Sequence, residues 1–346
     1  IQKLTDVGTV RCAKTSLCYG GIIMKQKNVA VLTSGGDAPG MNAAIRAIVR
    51  CAISKGYAVT GIKEGYKGLL AENMIDLQSR SVGEIIQRGG TMLETARCKE
   101  FATPEGIARG AQICREHGID ALVVIGGDGS FKGARALTGA GIPTIAMPGT
   151  IDNDISCSEY TIGFDTALNT AVEAVDKIRD TSTSHHRCSV VEVMGARAGY
   201  IAVEAAIASG AEIVLIPEIP FDIEKDVIDI IKRGRENGKK HHIVIMAEGI
   251  SMSSADIAAK IQSETGVETR ATVLGHVQRG GSPTVRDRVI AAQMGAKAVD
   301  LIEEGKSNRV VVVRDGKICD VDINEGLAMK KTVSKELYDL VKTLSI

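Results

Sequence analysis

The chain of 346 residues balances 42 Lys and Arg against 42 Asp and Glu, and 44% of it is hydrophobic. That length predicts a soluble globular protein of two domains. Zero net charge lacks the basic excess of a nucleic-acid binder, and no run of about eighteen apolar residues reaches the length of a membrane helix.

Eight cysteines lie scattered without a CxxC pair, which predicts reduced thiols in a cytoplasmic protein rather than disulfides or a zinc site. The opening residues, IQKLTDVGTVRCAKTSLCYGGIIMKQK, lack the charged-then-apolar order of a signal peptide. Residues 1–23 are expected to lie upstream of the natural start at Met24, as a disordered or non-native extension. The first convincing strand is NVAVLTS, followed by the helical MNAAIRAIVRCAISKG. Then come the strand YAVTGI, the helix EGIARGAQICREHG, the strands ALVVIGG and IPTIAM, and the helix LNTAVEAVDKIRDT. Four further strands follow, SVVEVMG, AEIVLIP, HHIVIMAEG and RATVLGH. RVVVVRDGKICDVDI reads as a hairpin turning at Asp315-Gly316, and KKTVSKELYDLVKTL as a terminal helix. Alternation of this kind predicts an α/β protein with mainly parallel sheets, covered on both faces.

Many strands end in Gly-rich or acidic turns, where open α/β sheets place their ligands. In LTSGGDAPGMNAAIR, Gly35 and Gly36 precede a helix start near Pro39–Met41, and exposed amides there suit an anion; the alternative is a turn capped by Asp37. VVIGGDGSFKGA matches neither a dinucleotide fingerprint nor a Walker loop. Its Gly126, Gly127 and Gly129 leave bare backbone for a polyphosphate, and Asp128 suits Mg²⁺, which takes one or two carboxylates plus phosphate oxygens. Arg97, Arg187, Arg270 and Arg279 stand near strand ends as forks for phosphate. PGTIDND, residues 148–154, taken alone reads as a turn whose acids cap the next helix. Beside two phosphate-suited loops it reads as a reaction centre, with a carboxylate placed to take a hydroxyl proton. From the residues alone the expectation is a kinase of a small hydroxyl compound.

LTSGGDAPGMNAAIR, VVIGGDGS, PGTIDND, TIGFDTALNT, RDTSTSH, VVEVMG and RATVLGHVQRGGSP together resemble bacterial ATP-dependent 6-phosphofructokinase, in that family's order and from about Met24 to the end. The resemblance implies two similar three-layer α/β/α domains. The ATP-binding one spans 24–163 plus about 278–328, and the fructose 6-phosphate-binding one about 164–277 plus 329–346. It implies transfer from MgATP to the 1-hydroxyl of D-fructose 6-phosphate, the committing step of glycolysis, by an allosteric homotetramer. Gly36, Arg97, Cys98, Gly127, Gly129, Ser130 and Gly133 would line the ATP site, with Asp128 on Mg²⁺. Asp152 would be the general base, and Thr150 and Asp154 would assist transfer and metal positioning. Met194, Gly195, Glu248, His276 and Arg279 would hold the sugar phosphate, with Arg187 and Arg270 reaching in from a neighbouring subunit. ADP and phosphoenolpyruvate would act as effectors at Arg46, Arg50, Arg179, Gly210, Glu212, Lys239, Lys240 and His241. Without the family, Arg46 and Arg50 read as a solvated basic helix face.

Two departures from the family pattern stand out. Asn237 replaces a basic residue before GKKH, weakening the expected effector site. In VEVMGARAGY, Ala196 occupies the place of a catalytic Arg within the sugar site, and Arg197 follows it. On a helix start that one-residue step would turn the side chain by about 100°, which Arg197 would span with lowered turnover. Pyrophosphate-dependent relatives typically carry Asp at the place of Gly129 and Lys at that of Gly149, so the two glycines indicate ATP. Three alternatives are a pyrophosphate-dependent enzyme, an NAD or lipid kinase sharing the GGDG turn, and a catalytically weakened regulatory subunit.

Overall fold

The computed structural model describes residues 18–19, 22–23 and 26–345. The expectation about residues 1–23 otherwise falls outside the described residues; within it, β1 (Cys18–Tyr19) and β2 (Ile22–Ile23) pair antiparallel. Two further sheets organise the chain. The larger contains β3 (Asn28–Ser34), β4 (Ala58–Ile62), β5 (Met74–Asp76), β6 (Ala121–Gly126) and β7 (Thr144–Pro148). The smaller contains β8 (Cys188–Val193), β9 (Ile213–Leu215), β10 (His242–Ala247) and β11 (Thr269–Val273). The chain then returns to the larger sheet as the hairpin β12 (Arg309–Arg314) and β13 (Lys317–Asp322).

The larger sheet runs β13-β12-β7-β6-β3-β4-β5, and the smaller β11-β8-β10-β9. Pairing is parallel except at the β12/β13 and β4/β5 edges. β6, β7 and β10 are buried at every position, as central strands covered on both faces require. This is the α/β architecture expected from the apolar runs, and most strands start within two residues of the quoted segments.

The helices are α1 (Met41–Ser54), α2 (Gly65–Leu70), α3 (Pro104–Glu116), α4 (Asp128–Gly139), α5 (Phe164–His185), α6 (Tyr200–Ser209), α7 (Asp229–Glu236), α8 (Ser254–Thr265), α9 (Val285–Glu303), α10 (Ile323–Ala328) and α11 (Lys335–Leu344). Local chemistry sets several starts. Thr103 accepts from the Gly106 amide ahead of Pro104 at the first turn of α3, and Ser253 and Thr284 accept from the Asp256 and Asp287 amides at α8 and α9. The terminal helix begins at Lys335 rather than Lys330, where the Ser334 hydroxyl accepts from the Leu337 amide.

One buried apolar core runs from α1, α9 and the larger sheet to α6 and the smaller sheet. The outer faces carry separate cores, one under α2, α3 and α4, the other under α7 and α8. The chain crosses between the two units at residues 149–163, 274–284 and 329–334. All three crossings border the site.

Candidate active site

β7 ends at Pro148, and the chain makes a closed excursion before rejoining it. Gly149 bridges Ile162, the Ile162 amide donates to Pro148 O at 2.9 Å, and Thr161 Oγ1 donates to Thr150 O at 2.7 Å. Inside this loop Asp152 is only 8% exposed. Its amide donates to Thr150 Oγ1 at 3.2 Å, and that hydroxyl donates to Asp152 Oδ2 at 3.3 Å. Asp152 Oδ1 is buried with no hydrogen-bond partner among the described residues. Burial first, then the Asp154 carboxylate, push the Asp152 pKa up to about 6, with Glu248 adding and Arg279 and Thr150 opposing. Asp154 is raised by burial against Lys331, and Asp128 by burial and then by Asp154. Three carboxylates, one buried and two exposed, are therefore raised together at one cleft. None of them caps the following helix: α5 starts at Phe164 behind Gly163 with no side-chain cap.

The two Gly loops flank these acids. α1 and α4 both start without a side-chain cap, so Asp37 does not close the first loop and Asp128 is the first residue of α4 rather than its cap. At α1 the Met41 amide donates to Ala38 O at 3.1 Å, and at α4 the Ser130 amide donates to Gly127 O at 2.9 Å. Ser130 Oγ donates to Ser34 O at 3.0 Å, joining the loops. Tyr66 supports them from behind, donating to Ser130 O at 2.7 Å and stacking on Phe101 with centroids 4.1 Å apart. A Cβ on Gly133 would lie 2.6 Å from the Tyr66 ring, so its smallness serves this packing, whereas Gly129 faces open space. A Cβ on Gly36 would lie 2.6 Å from Arg279 Nη1, and that nitrogen donates to Asp37 O at 3.3 Å. Thr95 Oγ1 donates to Gly35 O at 2.8 Å, tethering the segment that presents exposed Arg97 and half-buried Cys98.

Across the cleft, β8 ends at Met194, Gly195 and Ala196. The Gly195 and Ala196 amides converge on Glu248 Oε1 at 3.3 and 2.8 Å. The Met194 amide donates to Gln278 Oε1 at 3.3 Å, within the 3₁₀ turn Gly275–Arg279 that carries His276 and Arg279. Ala196 has φ 53° in a turn, and α6 begins only at Tyr200. This corrects the expectation of a helix start: a left-handed residue, not a 100° helical step, sets the direction of Arg197. Arg197 is exposed.

Not every expected residue reaches this cleft. Arg187 Nε lies 2.9 Å from Glu268 Oε2, and Arg270 Nη2 lies 2.7 Å from Glu268 Oε1. They stand at the starting ends of β8 and β11, whereas Met194 follows the last residue of β8. Six strand residues, roughly 20 Å, separate the two. A third cluster gathers Arg179 Nη1, 3.2 Å from His241 Nε2, and Lys239 Nζ, 2.6 Å from Glu212 Oε1. The other Glu212 oxygen accepts from the Ile243 amide at 2.6 Å. Open Gly210 and exposed Lys240 border it. Arg46 and Arg50 lie elsewhere, on α1 against α9, with Arg50 lining a shallow hollow beside Arg80 and Glu84.

Tyr66, Gln278 and Lys331 were missed by sequence reasoning. Each acts from far along the chain through an ordinary local motif, so no spacing signal marks them.

The chain is a member of the phosphofructokinase family, whose model matches residues 28–302. It is 53% identical over 319 residues to ATP-dependent 6-phosphofructokinase 1 of Clostridium perfringens, covering 92% of this chain and 99% of the relative. It is 56% identical over 320 residues to the ATP-dependent 6-phosphofructokinase of Bacillus cereus, covering 92% and 100%. Among solved structures, phosphofructokinase from Saccharomyces cerevisiae matches with TM-score 0.83 at 34% identity, over 93% of this chain but 48% of that longer one. The pyrophosphate-dependent phosphofructokinase of Marinobacter aquaeolei matches with TM-score 0.80 at 23% identity over 92% and 91%, a likeness of fold.

Proposed function

We propose that the protein transfers a phosphoryl group from MgATP to the 1-hydroxyl of D-fructose 6-phosphate, giving ADP and fructose 1,6-bisphosphate, the committing step of glycolysis in the cytoplasm. The observation that carries this reading is Asp152. One of its oxygens is fixed by Thr150 and the other is buried and unclaimed, with a pKa near 6 that leaves it ionised yet basic at neutral pH. Thr150 aims the carboxylate. The larger-sheet unit, 24–163 with about 278–328, would hold ATP along Gly36, Arg97, Cys98, Gly127, Gly129, Ser130 and Gly133. The smaller-sheet unit, about 164–277 with 329–346, would hold the sugar phosphate through Met194, Gly195, Glu248, His276 and Arg279.

Magnesium fits the donor set. Asp128 and Asp154 are exposed carboxylates, and the charge of Asp154 raises the pKa of Asp128, a repulsion a divalent cation relieves. Among the described residues no group of three acidic, His or Cys side chains is placed to hold a metal alone, as suits an ion that completes its shell with phosphate oxygens. Bound there, it would neutralise phosphate charge.

ATP rather than pyrophosphate is supported by both donor positions. Gly129 leaves the phosphate channel open, and a Cβ on Gly149 would meet Ile125 Cγ2 at 2.8 Å and Met41 Cε at 3.0 Å. Assembly as a homotetramer is supported by Arg187 and Arg270, which lie at the starting ends of β8 and β11, away from their own cleft, and so would serve a neighbour's. Arg179, Gly210, Glu212, Lys239, Lys240 and His241 would form an effector site for ADP and phosphoenolpyruvate, with Arg46 and Arg50 completing it across the interface. A coupled assay with fructose 6-phosphate tests the donor reading, run with light scattering on the same sample. ATP should support turnover at least about tenfold better than pyrophosphate, by a four-chain particle. Equal or better use of pyrophosphate overturns the donor reading, and an active monomer overturns the shared site.

A further inference from the structure

The third crossing between the units passes beside the reaction loop and delivers Lys331 into it. Lys331 Nζ donates to Asn153 O at 2.7 Å, to Asn153 Oδ1 at 3.1 Å and to Ser158 O at 2.9 Å. The Tyr200 ring lies 4.7 Å from the same ammonium. An ammonium carries three N–H donors, and the loop takes all three, so none is left for a phosphate oxygen. Asn153 separates the two carboxylates Asp152 and Asp154 and adopts φ 50°. A residue with a Cβ holds that left-handed conformation when its surroundings fix it. Ser158 lies on the returning limb of the loop. Its hydroxyl donates to Tyr160 O at 2.7 Å and accepts from the Val313 amide of β12 at 3.0 Å. Lys331 therefore bridges the outgoing limb to the returning one, and through Ser158 to the larger sheet.

We infer that Lys331 is a positioning residue for phosphoryl transfer: bracing Asn153 against Ser158, it holds the left-handed turn that presents Asp152 and Asp154 to one cleft. The inference rests on the reading of Asp152 as the base. Lys331 touches no reacting atom in this role; it acts through the turn. A misplaced base lowers the rate of the chemical step more than substrate binding, because positioning is worth most in the transition state.

The test is steady-state kinetics on Lys331→Met, which keeps an unbranched stem without donors, and Lys331→Gln, which returns two N–H donors without charge. Lys331→Met should lower kcat roughly 10- to 100-fold with both KM values within about threefold of the parent. Lys331→Gln should recover at least about a third of the parent kcat, since the loop needs donors at that point. A parent-like kcat in Lys331→Met, a loss confined to KM, or a Gln variant no better than Met overturns the inference. If Lys331→Met does not fold by circular dichroism, Asn153→Ala reads the same turn with Lys331 in place. A kcat loss of about tenfold is then expected, and a parent-like kcat overturns the inference. Asp152→Asn, run alongside, separates the two readings. Full activity there removes the base assignment, whereas an inactive Asp152→Asn beside an unimpaired Lys331→Met removes only the role of Lys331.

Discussion

At the scale of the residue, Asp152 is held in a state the folded chain disfavours. Its carboxyl sits at about 6 against an ordinary 3.8, which amounts to roughly 3 kcal/mol carried by the ionised native state at neutral pH. The native chain binds that proton more tightly than the unfolded chain. The cost is therefore full above pH 6, shrinks as pH falls through 6, and is gone below about 4. Asp152→Asn, of the same shape and uncharged, should accordingly raise Tm by about 2–6 °C at pH 7.5, with the gain fading as the pH is lowered towards 4. Thermal unfolding at several pH values checks this; an unchanged Tm at pH 7.5, or a gain independent of pH, contradicts the burial of a strained carboxylate. Stability is traded here for a base that is both ionised and reactive.

At the scale of the element, the turn between β8 and α6 shows how a departure from the family pattern is accommodated. Glu248 gathers the Gly195 and Ala196 amides, and a Cβ on Gly249 would lie 2.5 Å from Ala196 O, so the turn is seated firmly. We propose that exposed Arg197, directly after it, supplies the cation missing at Ala196. Arg197→Ala should then raise KM for fructose 6-phosphate roughly tenfold or lower kcat by a similar factor, measured in the coupled assay. Unchanged constants would show that Arg197 has no such part. The β8 strand itself was legible, because three Val within its six residues favour an extended chain. The turn was not, because a left-handed Ala carries no sequence signature of the kind Gly does. The same holds for the loop after β7. PGTIDND marked the acids, but that Asp152 keeps one oxygen unclaimed, and that Lys331 closes the loop from 178 residues away, depends on long-range packing no local pattern encodes. The cap behaved oppositely: Asp37 looked like an ordinary turn acid, yet α1 starts without a side-chain cap.

At the scale of the molecule, two mainly parallel sheets of unequal size share a continuous core, and on the proposed reading their connecting segments carry the chemistry. The first crossing presents Asp152 and Asp154, the second His276 and Arg279, and the third Lys331. Asp287 ties the first two together, accepting from the Tyr160 hydroxyl at 2.6 Å and the Gly163 amide at 2.7 Å while buried at the start of α9. A change in the relation of the two units therefore acts directly on the reacting groups, a physical route by which subunit contacts would reach catalysis. The central claim is that Asp152 takes the proton of the sugar hydroxyl in this cleft. It is tested most directly by the pH dependence of kcat/KM for fructose 6-phosphate, together with kcat at neutral pH, for the parent protein and Asp152→Ser. The parent kcat/KM should fall as pH drops through about 6, where Asp152 of the free protein gains its proton. The variant should lose about 10²–10⁴-fold in kcat at neutral pH and lose that acidic limb. Full activity in Asp152→Ser, or the same limb persisting in it, would contradict the account.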